Sequence, residues 1–113
     1  MKTEIKNAII TGTTLDIGDR GFLQGWIQLD YGGACQGFGG YALYLPKSFK
    51  HAPEQKNYAG CWIQRIMEIA GVGEWKELVG KSIRVQLEDN MISGIGHILK
   101  DEWFFPKIEF KSL

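Results

Sequence analysis

In the run Gly94-Ile95-Gly96-His97-Ile98-Leu99 an imidazole sits in a strand thinned by glycine, with Asp101 and Glu102 close behind. Imidazole takes up and releases a proton near neutrality, so His97 is the candidate general base of a small hydrolase. A strand end followed by a turn does not fix a dyad by spacing. A histidine without an identifiable partner is more often a hydrogen-bonded structural residue, and His51 falls in a polar stretch where solvation is the expected fate. No serine nucleophile elbow, no His-Glu-x-x-His and no paired zinc ligands occur. Enzymatic chemistry is therefore the minority expectation, and neither a metal nor a cofactor is expected.

A second candidate lies between Asp30 and Tyr44, where five glycines and four aromatics share what otherwise looks like two strands and their connection. Glycine loses the most backbone entropy on folding and packs no side chain, so strand interiors avoid it unless bare backbone is needed. Two needs are possible: close approach of a ligand or another backbone, or positive φ in a bulged turn. A Walker loop requires a Lys-Ser or Lys-Thr pair opening a helix, and none follows Gly40. Gly37, Gly39 and Gly40 miss the dinucleotide-binding spacing and precede a strand. Gln36-Gly37-Phe38-Gly39-Gly40-Tyr41 has the look of the aromatic strand of single-strand RNA readers, but Gln36 stands where a basic residue belongs and Gly40 shifts Tyr41 out of register. What survives is a generic surface. Gly37, Gly39 and Gly40 expose backbone, Phe38 and Tyr41 stack on a flat ligand, Gln36 and His97 exchange hydrogen bonds with it, Arg65 or Lys100 neutralises phosphate, and Trp103 joins the aromatic pool. Trp62 is expected in the core instead.

These groups need a scaffold. Ile5 to Thr14 is β-branched and reads as a first strand, Asp16 to Gly21 as a turn, and Phe22 to Leu29 as a second strand with a bulge at Gly25. Gly37 to Leu45 reads as a third, ended by Pro46, and the polar segment Lys47 to Asn57 as a surface loop. Trp62, Ile63, Ile66, Met67, Ile69 and Ala70 then recur at spacings of three and four, which predicts a helix over Tyr58 to Ala70 with Asn57 as N-cap and Gly71 as a left-handed stop. Glu74 to Val79 suggests a short helical turn. Ile83, Val85 and Leu87 alternate with polar residues, Asp89-Asn90 suits a two-residue hairpin, and Met91 to Leu99 returns. The order β-β-β-α-β-β predicts an α+β fold, one main helix on a mostly antiparallel sheet of about five strands.

At 113 residues, with 13 basic and 13 acidic side chains, the chain is expected to form a single domain over residues 1–113 with no global field for nucleic acid, so nucleic-acid binding is not expected. No apolar stretch is long enough to span a bilayer, and the short apolar runs near the start are too brief for a signal-peptide core, so a cytoplasmic protein without membrane contact is expected. Cys35 and Cys61 do not make a disulfide framework and are expected as free thiols. The tail carries Trp103, Phe104, Phe105, Ile108 and Phe110, too much apolar surface to leave in water. It is expected to pack on the body or on a second copy, making a homo-oligomer.

Asp30-Tyr31-Gly32-Gly33, Gln36 to Leu43, Arg65-Ile66, Trp75 to Lys81 and Gly96 to Phe104 together resemble a family of small phage and prophage proteins, over nearly the whole chain. Cys35 departs from the pattern, where glycine or another small residue is expected. The resemblance implies a setting in the host cytoplasm and supplies no catalytic residues. Small phage accessory proteins often inhibit host defence, by sequestering a nucleotide signal or by occluding a defence protein such as a CRISPR effector. The expected partner is accordingly a small anionic nucleotide-type ligand or, alternatively, a host defence protein.

Overall fold

Alternation of buried and exposed residues builds the sheet. The structure is a computed structural model and describes residues 2–18, 23–41, 43 and 58–113. Its strands are β1 (Thr3–Ile17), β2 (Leu23–Asp30), β3 (Cys35–Gly39), β4 (Ser82–Glu88), β5 (Met91–Gly96) and β6 (Trp103–Phe104). The main helix, α1, is Tyr58–Ala70, and a short α2 spans Pro106–Glu109. All pairings are antiparallel and the order is β3-β2-β1-β4-β5-β6. The fold is thus α+β, with a sixth strand beyond the five expected.

β1 organises the sheet because it serves two neighbours. Its first half, Thr3 to Ile9, pairs with β4, and its second half, Ile9 to Ile17, pairs with β2. A bulge between Ile10 and Gly12 lies near the changeover, where an extra residue bends the strand and increases its twist. The sequence places that bulge at Gly25 instead, but Gly25 pairs in register with Leu15. Gly25 lacks a side chain for another reason: a Cβ there would lie 2.5 Å from Cζ3 of Trp62, so the helix could not seat its indole against β2.

The bend curls the sheet upon itself. In a flat sheet the five steps from β3 to β6 would separate the edges by roughly 24 Å at about 4.8 Å each. Instead the Phe38 ring of β3 meets the Phe104 ring of β6 edge to face at 6.4 Å. Ile10, Ile27, Leu29, Phe38, Ile83, Val85, Ile95 and Phe104 line the concave side, fully or almost fully buried. Trp62, Ile66 and Ile69 of α1 close it, as their spacing predicts. Gly71 ends α1 in the left-handed conformation, φ +73°, and donates to the Met67 carbonyl at 2.9 Å. Asn57 as N-cap, Pro46, His51 and the rest of the polar loop, together with most of the turn after Ile17, lie outside the described residues.

Two boundaries differ from the sequence-based ones. β3 begins two residues earlier and stops at Gly39, where φ is +140°. The tail is a strand and a helical turn docked on the body: Phe104 is buried, and Phe110 packs against Tyr41 and Tyr58 at centroid distances of 5.9 and 4.9 Å. Those rings are covered by their own chain, so the tail's aromatic content gives no argument for a second subunit. Asp89 and Asn90, φ +50° and +70°, form the hairpin turn anticipated between β4 and β5.

Candidate functional site

β3 is an edge strand, and the direction of its backbone groups follows from the ladder. Tyr31 N–H donates to the Ala34 carbonyl and Gly40 N–H to the Gly25 carbonyl, each at 2.9 Å. Bonded pairs alternate in an antiparallel ladder, so between these two the register makes Leu29–Gln36 and Ile27–Phe38 the bonded pairs. Cys35, Gly37 and Gly39 therefore turn their N–H and C=O groups away from β2. On the far side of that edge stands the β4–β5 hairpin. Between them lies an open cleft with a cavity volume of about 530 Å³, lined by Trp26, Gln36 to Tyr41, Glu88, Asp89, Met91 to Ser93 and Lys107.

Among the described residues no ladder bridges this seam; one amide does. Gln36 Nε2 donates to Tyr31 Oη at 2.8 Å and to the Asn90 carbonyl at 3.1 Å, while its Oε1 accepts from Ile92 N–H at 2.8 Å. Gln36→Ala is expected to lower unfolding free energy by about 1–2 kcal/mol, since it strands the Ile92 donor and the Asn90 acceptor. Gln36→Glu keeps the acceptor but loses both donors, so its denaturant midpoint should also fall. A midpoint unchanged in both variants would show that the seam does not depend on this amide.

The glycines are not bare. The Trp26 indole, half-buried on β2, lies across β3: a Cβ on Gly37 would be 2.9 Å from its Cε3, and one on Gly40 would collide with its Cζ2. A Cβ on Gly39 would collide with the Gly25 carbonyl. Both needs left open by the sequence are met, close approach at all three and positive φ at Gly39 and Gly40, but the approaching groups are the protein's own. What remains open is the strand's edge rather than its face. Gly32 and Gly33, φ +75° and +91°, have open space around them and form the β2–β3 turn. Beside them a second hollow of about 550 Å³ includes Asn7, Ile9, Asp30 and Ser82, with no aromatic wall.

The expected site residues divide into three places. Gln36, Gly37, Phe38, Gly39, Gly40 and Tyr41 gather at the cleft. Phe38, however, is 2% exposed and turned into the core, so it cannot stack on a ligand. Tyr41 is half-buried, and burial pushes its hydroxyl above the ordinary range, keeping it a neutral donor. Trp26, overlooked in the sequence because it sits inside an ordinary strand pattern, is the aromatic wall. Arg65 is elsewhere: its Nε donates to Glu109 at 3.0 Å, Nη1 to Glu68 at 2.7 Å and Nη2 to the Trp103 carbonyl at 2.7 Å, with the guanidinium 5.8 Å from the Phe104 centroid. That cation is fully engaged inside the fold.

His97, Lys100 and Trp103 lie beyond the opposite end of β5 from the cleft. The His97 ring lies beside Gly71 at the end of α1, where a Cβ on that glycine would be 3.7 Å from its Nε2, and not at the glycine-rich strand. Its Nδ1 accepts from Leu99 N–H and Lys100 N–H, both at 3.0 Å, which closes the turn into β6 and puts any ring proton on Nε2. That is a capping role. Trp103 packs over Gly96 and under Arg84, whose guanidinium lies 4.9 Å from a Trp103 ring centroid and donates to the carbonyls of His97 and Lys100, each at 2.7 Å. Cys61 is held as a thiol, pushed up by burial and then by Glu109, and Cys35 is exposed. Among the described residues no group of three or more His, Cys, Asp or Glu could hold a metal ion, and no helix is long and apolar enough to cross a membrane.

Set against protein-family models, curated proteins and solved structures, the chain matches none of them, so the case for its function rests on this cleft.

Proposed function

We propose that the protein is a binding module that captures a small, flat, nucleotide-type ligand in the cleft between β3 and the β4–β5 hairpin. The observation that carries this reading is the open edge of β3: among the described residues, backbone donors and acceptors turned away from β2 line a cavity of about 530 Å³ beside the Trp26 ring and the Tyr41 hydroxyl. Such a cavity falls within the size of small-molecule sites, about 300–1,000 Å³, in which apolar walls surround a few convergent polar groups. The order β3-β2-β1-β4-β5, with α1 inserted between β3 and β4, is also the connectivity of partly open five-stranded barrels that carry ligands on their second and third strands. That likeness is one of connectivity alone.

In the phage setting that the sequence resemblance implies, the role is sequestration: a defence signal held here is withheld from its receptor. Binding is favoured over turnover because His97, the candidate base, caps a turn away from the cleft. The test is a thermal shift with a panel of nucleosides and nucleotides, joined to mass spectrometry of the supernatant from heated protein. A ligand at one hundred times its Kd adds about 2.7 kcal/mol of stability, a shift on the order of 10 °C for a chain of this size. A flat response across the panel, with one host protein recovered stoichiometrically from lysate, would replace this reading with protein blocking at the same edge.

A further inference from the structure

The edge of β3 specifies more than a generic ligand. Phe38 N–H and C=O both point to β2, so the Gly37 C=O and the Gly39 N–H, which belong to the two peptide planes flanking Phe38, point together into the cleft. An acceptor and a donor side by side on one strand edge match a heterocycle that carries a donor beside an acceptor on one edge. Every common nucleobase has such an edge: the amino group and ring nitrogen of adenine or cytosine, or the N–H and carbonyl of guanine or uracil. The Trp26 indole, resting on Gly37 and Gly40, supplies the aromatic wall next to that edge.

The charges around the cleft point away from a polyphosphate. Among the described residues its lining carries the carboxylates of Glu88 and Asp89 and the ammonium of Lys107. Glu88 is next to Gln86, whose amide donates to it at 3.4 Å, and Asp89 accepts from the Lys2 backbone N–H at 3.0 Å; among the described residues neither carboxylate is ion-paired with a cationic side chain. Arg65 is engaged with Glu68 and Glu109, and Lys100 lies beyond the other end of β5. Phosphate sites need converging cations or amides, whereas two carboxylates against one lysine repel a chain of phosphates.

Resting on the binding role proposed above, we infer that the cleft takes the nucleoside end of its ligand, reading the base edge through Gly37 C=O and Gly39 N–H, and that Glu88 and Asp89 discriminate against polyphosphates. Calorimetry with adenosine, guanosine, cytidine and uridine, each with its monophosphate and triphosphate, tests this. The best base should bind as nucleoside or monophosphate about tenfold more tightly than as triphosphate at low salt, the gap narrowing as ionic strength rises toward 1 M. Its edge-blocked form should bind about tenfold more weakly or worse: N6,N6-dimethyladenosine, 1-methylguanosine, N4,N4-dimethylcytidine or 3-methyluridine, as the base requires. Glu88→Gln combined with Asp89→Asn should raise triphosphate affinity. A triphosphate that binds the wild type as tightly as its nucleoside, or an edge-methylated base that binds undiminished, overturns the inference while leaving the binding role in place. Silence from all twelve compounds overturns both.

Discussion

Replacing Gly39 by alanine is expected to lower the unfolding free energy by about 2–6 kcal/mol, a larger loss than any other single change considered for this chain. Two independent costs meet at that residue. Its φ of +140° lies where an L side chain is strained, which costs about 1–3 kcal/mol. A Cβ would also run into the Gly25 carbonyl, a backbone group held in the β2 ladder that cannot swing aside as a side chain would. Overpacking of that kind costs about 1–3 kcal/mol or more, so the sum reaches a large fraction of the 5–15 kcal/mol that holds a typical domain. Gly33→Ala is the control. Its φ of +91° imposes similar strain, but nothing lies within 4 Å of the added carbon, and its loss should be about 1 kcal/mol. Circular dichroism melts of the two variants decide it: a Gly39→Ala protein that melts with Gly33→Ala would mean that β3 can move off Gly25 at little cost.

The second large effect is expected at Arg65. Arg65→Met keeps the length and apolar stem of the side chain but removes the donors to Glu68, Glu109 and the Trp103 carbonyl, leaving Glu109 and that carbonyl partly buried without them while Glu68 stands exposed. The arginine side chain is 23% exposed, so the ion pairs are partly shielded from water, and the expected loss is about 2–3 kcal/mol. Removing Glu109 as well should cost less than the sum of the single changes, since both act through one contact. The same cluster gives a pH signature. The hydrogen bond from Arg65, then that from Gln64, holds the Glu68 carboxyl below its ordinary range. A depressed folded-state pKa contributes stability that is present above the unfolded value and is lost as pH falls through the folded one. Stability should therefore decline on acidification through the carboxylate range, and Glu68→Gln should flatten that slope. If instead Arg65→Met melts like the wild type but loses ligand binding, the arginine serves a ligand and not the fold.

These predictions turn on features of unequal legibility. Tyr58–Ala70 was readable to the residue because a helix is a local object: a stripe at spacings of three and four, closed by Gly71, needs no distant information. The Asp89-Asn90 hairpin was readable for the same reason. β6 was not, because two residues carry no period, and the aromatic tail suits a dimer interface as well as the strand and helical turn it forms. Glycine was the most ambiguous signal. The sequence reads Gly25 as a bulge and Gly37, Gly39 and Gly40 as either closely approached or turning, whereas the groups that meet them are Trp62, Trp26 and the Gly25 carbonyl, and which of these meets which glycine depends on strand register.

By itself, then, the sequence determined the α+β class, the main helix with its stop, the hairpin, and the concentration of unusual backbone around residues 32 to 40. The tertiary structure alone decided that β1 is shared between β2 and β4, that the sheet curls until β3 faces the β4–β5 hairpin, and that Arg65, His97, Lys100 and Trp103 stand apart from the glycine-rich strand. The physical reason is range. Periodicity, caps and turns are set by neighbours along the chain, whereas a cleft is defined by residues such as Gln36 and Ile92, far apart in sequence and brought together only when the long strand bends.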